Sequence, residues 1–488
     1  MTAEQKEKNR WIALVILCTG FLMIVLDATV VNVALPTIQE DLGFSASSLA
    51  WVVNAYLIAF GGLLLLAGRL GDLISRRGMF LSGLVVFTLA SMACGFSQSE
   101  EMLVGARFVQ GVGGAMTSSV ILGMIFTMFP DQREQARAMG IFSFVASGGG
   151  SVGLIAGGVL TDLISWHWIF FINIPIGIAT GLLALRYVQP DRGAGFGQGA
   201  DVLGALLSTA ALMLLVYTIV QPAAQDGWGA TNTLLFGTGA IVLGLAFVWR
   251  ESTAANPLIP LRIFKVREVW ASNAIQGLLV AGMFGTFFMG SLYLQRILGY
   301  TPLEIGLAFL PLTLVMGTVS VKYTERLIMR FGAHRTLVPG MTLVLIGLLL
   351  FARTPTDGNY LRDVLPIMPL IGLGFAICGP SLVTLAMSGA HRDDAGLASG
   401  LINTTTQVGG ALGLAVLATL AATHTDNLRA AGESTQSALN SGYHLGYLVA
   451  AGLTLVALLI AGFVLRESST AAVAEHGENG EPAYAEAA

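Results

Sequence analysis

Residues 68–78 read GRLGDLISRRG, a compact charged stretch between two long apolar runs. Arg69, Asp72, Arg76 and Arg77 cannot all lie in hydrocarbon, so this stretch must reach water while the runs on either side do not. The chain is therefore threaded back and forth through a bilayer. Gly68 and Gly78 allow the flanking helix ends to pack closely. Asp72 is placed to face the partly positive N-terminus of another helix, a contact that can form in one conformation and break in another. The arginines alone would equally suit an ordinary positive turn; Gly68, Leu70 and Asp72 beside them favour the switching contact.

The rest of the chain agrees with that reading. Of its 488 residues, 55% are hydrophobic and only 11% charged, and the mean hydropathy is +0.75. Soluble domains carry about 25% charged residues. A net charge of −4 spread over such a chain points to no nucleic-acid partner. Cys18, Cys94 and Cys378 fall inside apolar runs, which suits reduced packing residues better than disulfides. The polar segment MTAEQKEKNR precedes a run that carries Asp27 and lacks a small-residue cleavage site, so a cleaved leader is not expected.

Runs of roughly 20 apolar residues fall near 12–34, 49–67, 79–97, 102–129, 137–160, 167–187, 202–221, 232–249, 269–295, 303–321, 336–352, 363–388, 396–421 and 443–465. They predict fourteen spanning helices, with both ends of the chain on one side. With the N-terminus placed inside, 20 of the 25 Lys and Arg residues fall on that side and Arg296, Arg353, Arg362 and Arg429 on the other, Arg107 lying within a span. That asymmetry orients both termini to the cytoplasm.

The spans group as a polar N-terminal tail (1–11), a six-helix bundle (12–190), a linker with two extra spans (191–268), a second six-helix bundle (269–465) and a tail (466–488) expected to be disordered. The fold class is thus an all-α polytopic membrane protein. Paired six-helix bundles match the repeat architecture of secondary transporters. ERLIMRFGAHR at 325–335 weakly echoes GRLGDLISRRG at the corresponding place in the second bundle.

Two charges lie inside spans. Asp27 is about six residues from the far end of the first and Arg107 about six residues into the fourth, so both sit roughly 9 Å deep from the same surface. Burial opposes the ionised carboxylate while a nearby arginine favours it, and that competition suits a group that exchanges protons. A static pair fixing two helices is the alternative. Gly149, Gly153 and Gly157, with Gly158 beside them, form a groove for close helix approach, either a fixed packing surface or a moving one; Gly111, Gly113 and Gly114 offer another. Asn403 and Gln407 share a helix face, and with Asn54, Tyr56, Gln110 and Gln276 they are candidates to line a substrate cavity or to join helices. Phe284, Phe287 and Phe288 suit an apolar cavity wall or a lipid-facing surface. There is no phosphate-binding loop for ATP, no zinc-binding histidine spacing and no GxSxG elbow, so neither an enzyme nor a resident cofactor or metal is expected. A gradient or a partner must supply energy.

At this level the chain resembles the fourteen-span drug:proton antiporter branch of the major facilitator superfamily, over nearly all of its length except the tails. The resemblance rests on LDATVVNVALPTIQEDL (26–42), GRLGDLISRRG, RFVQGVGGAM (107–116), WHWIFFINIPIG (166–177) and LYLQRILGYTPLEIGLAFLP (292–311). It departs from the family at GLIAGG (153–158), where Leu154 replaces the expected proline, and in the charged loop, where Leu73 and Ser75 stand at usually basic and glycine positions. The resemblance implies proton exchange at Asp27 tuned by Arg107, an amphipathic drug-like or antibiotic substrate, no cofactor beyond a proton gradient, a monomer working in the lipid bilayer, and a bacterial cytoplasmic membrane. Export of a lipid or metabolite, and a non-transporting receptor with the same fold, are the alternative functions. The buried Asp27 and Arg107 argue against the receptor, which needs no titrating group in the bilayer.

Overall fold

The computed structural model describes residues 3–45, 47–129, 131–191, 193, 195, 201–389 and 395–465. Among the described residues fourteen long helices follow one another: α1 (Ala3–Leu42), α2 (Trp51–Leu73), α3 (Arg76–Gly95), α4 (Glu100–Met128), α5 (Gln132–Leu163), α6 (Trp168–Tyr187), α7 (Val202–Val220), α8 (Thr231–Thr253), α9 (Arg267–Arg296), α10 (Pro302–Val319), α11 (Ala333–Phe351), α12 (Ile367–Gly389), α13 (Ala395–Ala430) and α14 (Thr435–Phe463). Thirteen are long and apolar enough to cross a membrane; α5, 32 residues long, is the remaining long helix. Arg192, Arg392 and the tail 466–488 lie outside the described residues.

Local chemistry sets the helix ends. Ser99 accepts from the Met102 N–H to start α4, and Ser434 does the same for α14. Thr301 and Glu304 form a reciprocal capping box at α10, with Pro302 in its first turn. Two stretches differ from the sequence expectation. GRLGDLISRRG is not an open loop, because α2 continues to Leu73 and α3 begins at Arg76. Only Ile74 and Ser75 separate the helices, Ser75 being extended and accepting from Gly78 N–H. ERLIMRFGAHR is mostly helical. α10 passes through a π turn at Ser320–Thr324 into Glu325–Phe331, and the chain turns only at Gly332, whose φ is +85°.

Helices α1–α6 pack among themselves, as do α9–α14, and two seams join the groups. Along one, α5 meets α10. Gly306 lies against the Leu154 carbonyl, a side chain on Gly158 would sit 2.7 Å from the Leu303 Cα, and the Ser151 hydroxyl donates to Thr313 at 2.9 Å. Along the other, α2 meets α13, with Gly61 facing Gln407. At the face away from the N-terminus, Arg296 of α9 donates to Gln39 of α1 at 2.6 Å. The extra pair packs on itself, and α7 rests on both α2 and α13, flanking that seam.

Replacing Gly306 by Leu puts a side chain where the α5 backbone lies. The expected result is a loss of about 1–3 kcal/mol and parting of the seam. Thermal unfolding and reagent labelling of Ser151→Cys report both, and unchanged melting with unchanged labelling would count against so tight a contact.

Candidate functional site: a buried carboxylate and arginine

Asp27 and Arg107 are each 1% exposed, and Arg107 Nη1 donates to Asp27 Oδ2 at 2.5 Å. Gln110, one turn along α4, accepts from Arg107 at 2.8 Å and donates to Asp27 Oδ1 at 2.7 Å. Asn173 of α6 donates to the same oxygen at 3.3 Å and to Ser91 of α3 at 3.0 Å. Arg107 Nε donates to the Val52 carbonyl of α2 at 2.9 Å, and its guanidinium lies 4.4 Å from the centre of the Tyr56 ring. Glycines make that reach possible. Gly111 abuts the Tyr56 carbonyl and Gly113 the Phe87 backbone, so α4 lies close against both α2 and α3. Three side-chain donors from α4 and α6 thus converge on the two oxygens of Asp27.

The other candidate residues fall in different places. Gln110 belongs to this network. Tyr56 lies beneath Arg107 with its hydroxyl buried and unpartnered, and Asn54 is fully buried with both amide atoms unpartnered. In the second group, Gln276 donates to Thr406 at 2.8 Å and Thr405 to Asn273 at 2.7 Å, tying α9 to α13. Asn403 is exposed, and Gln407 sits in the α2–α13 seam. Phe288 is 2% exposed and so turned inward, while the partly buried Phe287 packs on Phe309 with ring centres 5.2 Å apart. Gly149, Gly153 and Gly157 share one face, against α1 at Val25, Thr29 and Val30, and Gly158 beside them faces α10.

The charged turn also differs in detail. Asp72 pairs with Arg76 of its own turn at 2.7 Å. The acid at the N-terminus of α3 is instead Asp191, which accepts from the Arg76 and Arg77 N–H groups at 2.7 and 3.1 Å and from the Ser75 hydroxyl at 2.7 Å. Gly193 and Gly195 donate backbone bonds to Ile74 and Leu73, which docks the chain after α6 onto the turn. Arg77 reaches the Leu185 carbonyl at 2.6 Å. Asp72, Arg76 and Asp191, together with Asn9 and Arg10, line a cavity of about 490 Å³.

Residues 17–414 match the family model described as Major Facilitator Superfamily. The chain belongs to the Major Facilitator Superfamily. It is 36% identical over 476 residues to the puromycin resistance protein pur8 of Streptomyces alboniger, covering 96% of this chain and 94% of that one. It is 39% identical over 410 residues to the cephamycin export protein CmcT of Amycolatopsis lactamdurans, covering 84% of each. Among solved structures it is similar in fold to an inward-facing, unoccupied bacterial homologue of the human lysosomal transporter Spinster, with a TM-score of 0.67, 16% identity, and coverage of 94% and 99%. That superfamily fold is what brings the carboxylate and the arginine of separate helices together here.

Asn173, Ser91 and Asp191 were not singled out in the sequence. Asn173 carried a signal, being an amide within the apolar run WHWIFFINIPIG. Asp191 carried none, because an acid after a span is ordinary until the backbone that folds onto it is known. Burial alone would raise the Asp191 carboxyl, but the Ser75 hydroxyl and the Arg76 and Arg77 N–H groups outweigh it and hold it below the ordinary carboxylate value. Its stabilisation is therefore present above about pH 4 and is lost as pH falls through the lowered value. Asp191→Ala is expected to cost about 1 kcal/mol at neutral pH, and its melting deficit should shrink in acid. A deficit independent of pH would sink this assignment.

Proposed function

We propose that this protein exports amphipathic, drug-like or antibiotic compounds across a bacterial cytoplasmic membrane in exchange for protons, by alternating access. The Asp27–Arg107–Gln110 network carries the reading. A carboxylate so fully donated to and so far from water takes up a proton only when a donor lets go, which links its protonation to a shift of α1, α4 or α6. On this reading Asp27 carries the proton, Arg107 competes with it, and Gln110 and Asn173 hold the ionised form. Asn403, Gln407, Gln276, Asn54 and Tyr56 are proposed to meet the substrate. The turn with Gly68, Asp72, Arg76 and Arg77 is proposed to bias the two states, and Gly149, Gly153, Gly157 and Gly158 to let helices slide.

The relatives named for puromycin resistance and cephamycin export support the substrate class, and the distribution of Lys and Arg supports placing both termini inside. A small molecule, protons and the bilayer are then the partners of a working monomer. Expression in an efflux-deficient bacterium, scored compound by compound for resistance, tests the substrate class.

Coupling is tested in proteoliposomes under an imposed proton gradient. Moving one charge through 100 mV is worth about 2.3 kcal/mol, a roughly 50-fold gradient for a cycle carrying one net charge. Asp27→Asn is expected to abolish uphill accumulation while leaving downhill exchange. Persisting uphill transport in that variant would place the proton elsewhere.

Asp72→Asn is expected to slow turnover several-fold without lowering the yield of folded protein. Wild-type rates at equal expression would remove the turn from the mechanism.

A further inference from the structure

A second buried acidic pair lies in the extra helices, remote in sequence from Asp27. Asp201 caps α7 by accepting from Gly204 N–H at 2.9 Å, and Arg250 Nε donates to its two oxygens at 3.0 and 3.1 Å. Beside it, Glu251 is only 3% exposed. Its Oε2 accepts from the Ile259 N–H at 2.9 Å and the Leu258 N–H also acts on the carboxylate, but its Oε1 is buried with no hydrogen-bond partner among the described residues. A side chain on Gly204 would meet Glu251 Oε1 at 2.7 Å and Asp201 Oδ2 at 2.8 Å, so the two acids face the small space that glycine leaves open.

Two carboxylates thus share one arginine, which is engaged by Asp201. Were both ionised, Glu251 would bury an uncompensated charge beside a like one. A proton on Oε1 would turn an orphaned acceptor into a donor, and Asp201 Oδ2, which faces the same space at Gly204, is the acceptor nearest to hand. No third metal-ligating side chain joins them among the described residues, and Arg250 already occupies the acid, so the site suits a proton and not a metal ion. The charged groups around Glu251 are Asp201 across the Gly204 space and Arg250 beside it on α8, while Arg262 and Lys265 follow on the turn Leu261–Lys265. We propose that Glu251 is a second proton-binding site, in which the protonated carboxyl donates to Asp201 and fastens the segment leading into the second bundle. That segment matters because Ile259 packs against a cluster made of Ile263, Val269 of α9, and Ala398 and Leu401 of α13. Loss of the proton places a second negative charge beside Asp201 and loosens the strap on those helix ends.

The site is independent of coupling at Asp27, and the test separates the two. In full-length protein in nanodiscs, infrared spectroscopy at neutral pH should show a protonated carboxyl C=O band that Glu251→Gln removes and Asp27→Asn leaves. As alkali removes the band, labelling of Ile259→Cys should rise several-fold; with Glu251→Gln it should stay low throughout. Glu251→Gln should also keep proton-driven accumulation. A wild-type spectrum unchanged by Glu251→Gln overturns the proposal, as does labelling that ignores pH. Should Glu251→Gln fail to fold, Asp201→Asn serves instead. It removes the like charge and is expected to abolish the band at neutral pH; an unaltered band would be equally decisive against it.

Discussion

Removing Asp27 and Arg107 from water costs several kcal/mol per ion, and the attraction between them repays that only when every remaining donor and acceptor finds a partner. This requirement organises the first bundle. The Val52 carbonyl must come from α2, Gln110 from the same face of α4 as Arg107, and Asn173 from α6, with Ser91 of α3 holding Asn173 in turn. Five helices are thus brought to one point. The glycines of RFVQGVGGAM follow as a consequence, since a side chain at Gly111 or Gly113 would push α4 away from the backbones it must approach.

Backbone proximity also governs how the two bundles meet. Hydrocarbon lipid gives apolar side chains little reason to prefer each other, so association relies on close packing and hydrogen bonds. The α5–α10 seam supplies both through Gly158, Gly306 and the Ser151–Thr313 bond. Leu154 stands where the related motif has proline, and α5 runs as helix through it, its carbonyl against Gly306. A smooth, small-residue seam has few interlocking side chains to undo when helices slide. On the far face the Gln39–Arg296 bond adds a polar tie that water can replace.

The fold was legible because spanning a bilayer imposes one strong pattern, a long apolar run between charges, and thirteen of the fourteen long helices follow it. The equal depth of Asp27 and Arg107 was legible for the same reason, since rise per residue converts sequence position into height. Rotation about the bundle axis was not. Nothing in the sequence says that Gly157 turns to α1 and Gly158 to α10, or that Phe288 faces inward. The turn at Ile74–Ser75 was mistaken for a longer loop because arginines at a helix start read like loop residues; Ser75 as a cap and Asp191 as a counter-charge make them helical. Partners separated by 114 to 116 residues leave no trace in local pattern.

The buried Asp27–Arg107 pair belongs to the first bundle, and α2 links it to the second. Its Val52 carbonyl holds Arg107, while Gly61, nine residues and roughly 13 Å further along the helix, lies against Gln407 of α13. Between them stands Asn54, buried with an unpartnered amide, seven residues from Gly61 and so on nearly the same face of the helix. An unpaired buried amide is costly, and its spacing from Gly61 puts this one on the side of α2 that Gly61 turns to α13. Any movement that admits water or a polar ligand to that face relieves it. On the proposed reading, release of Arg107 from Asp27 frees α2 at the Val52 carbonyl, and the strain stored at Asn54 favours parting of α2 from α13. The proton and the substrate then need no contact with each other, because one helix carries the consequence of the first to the wall that meets the second.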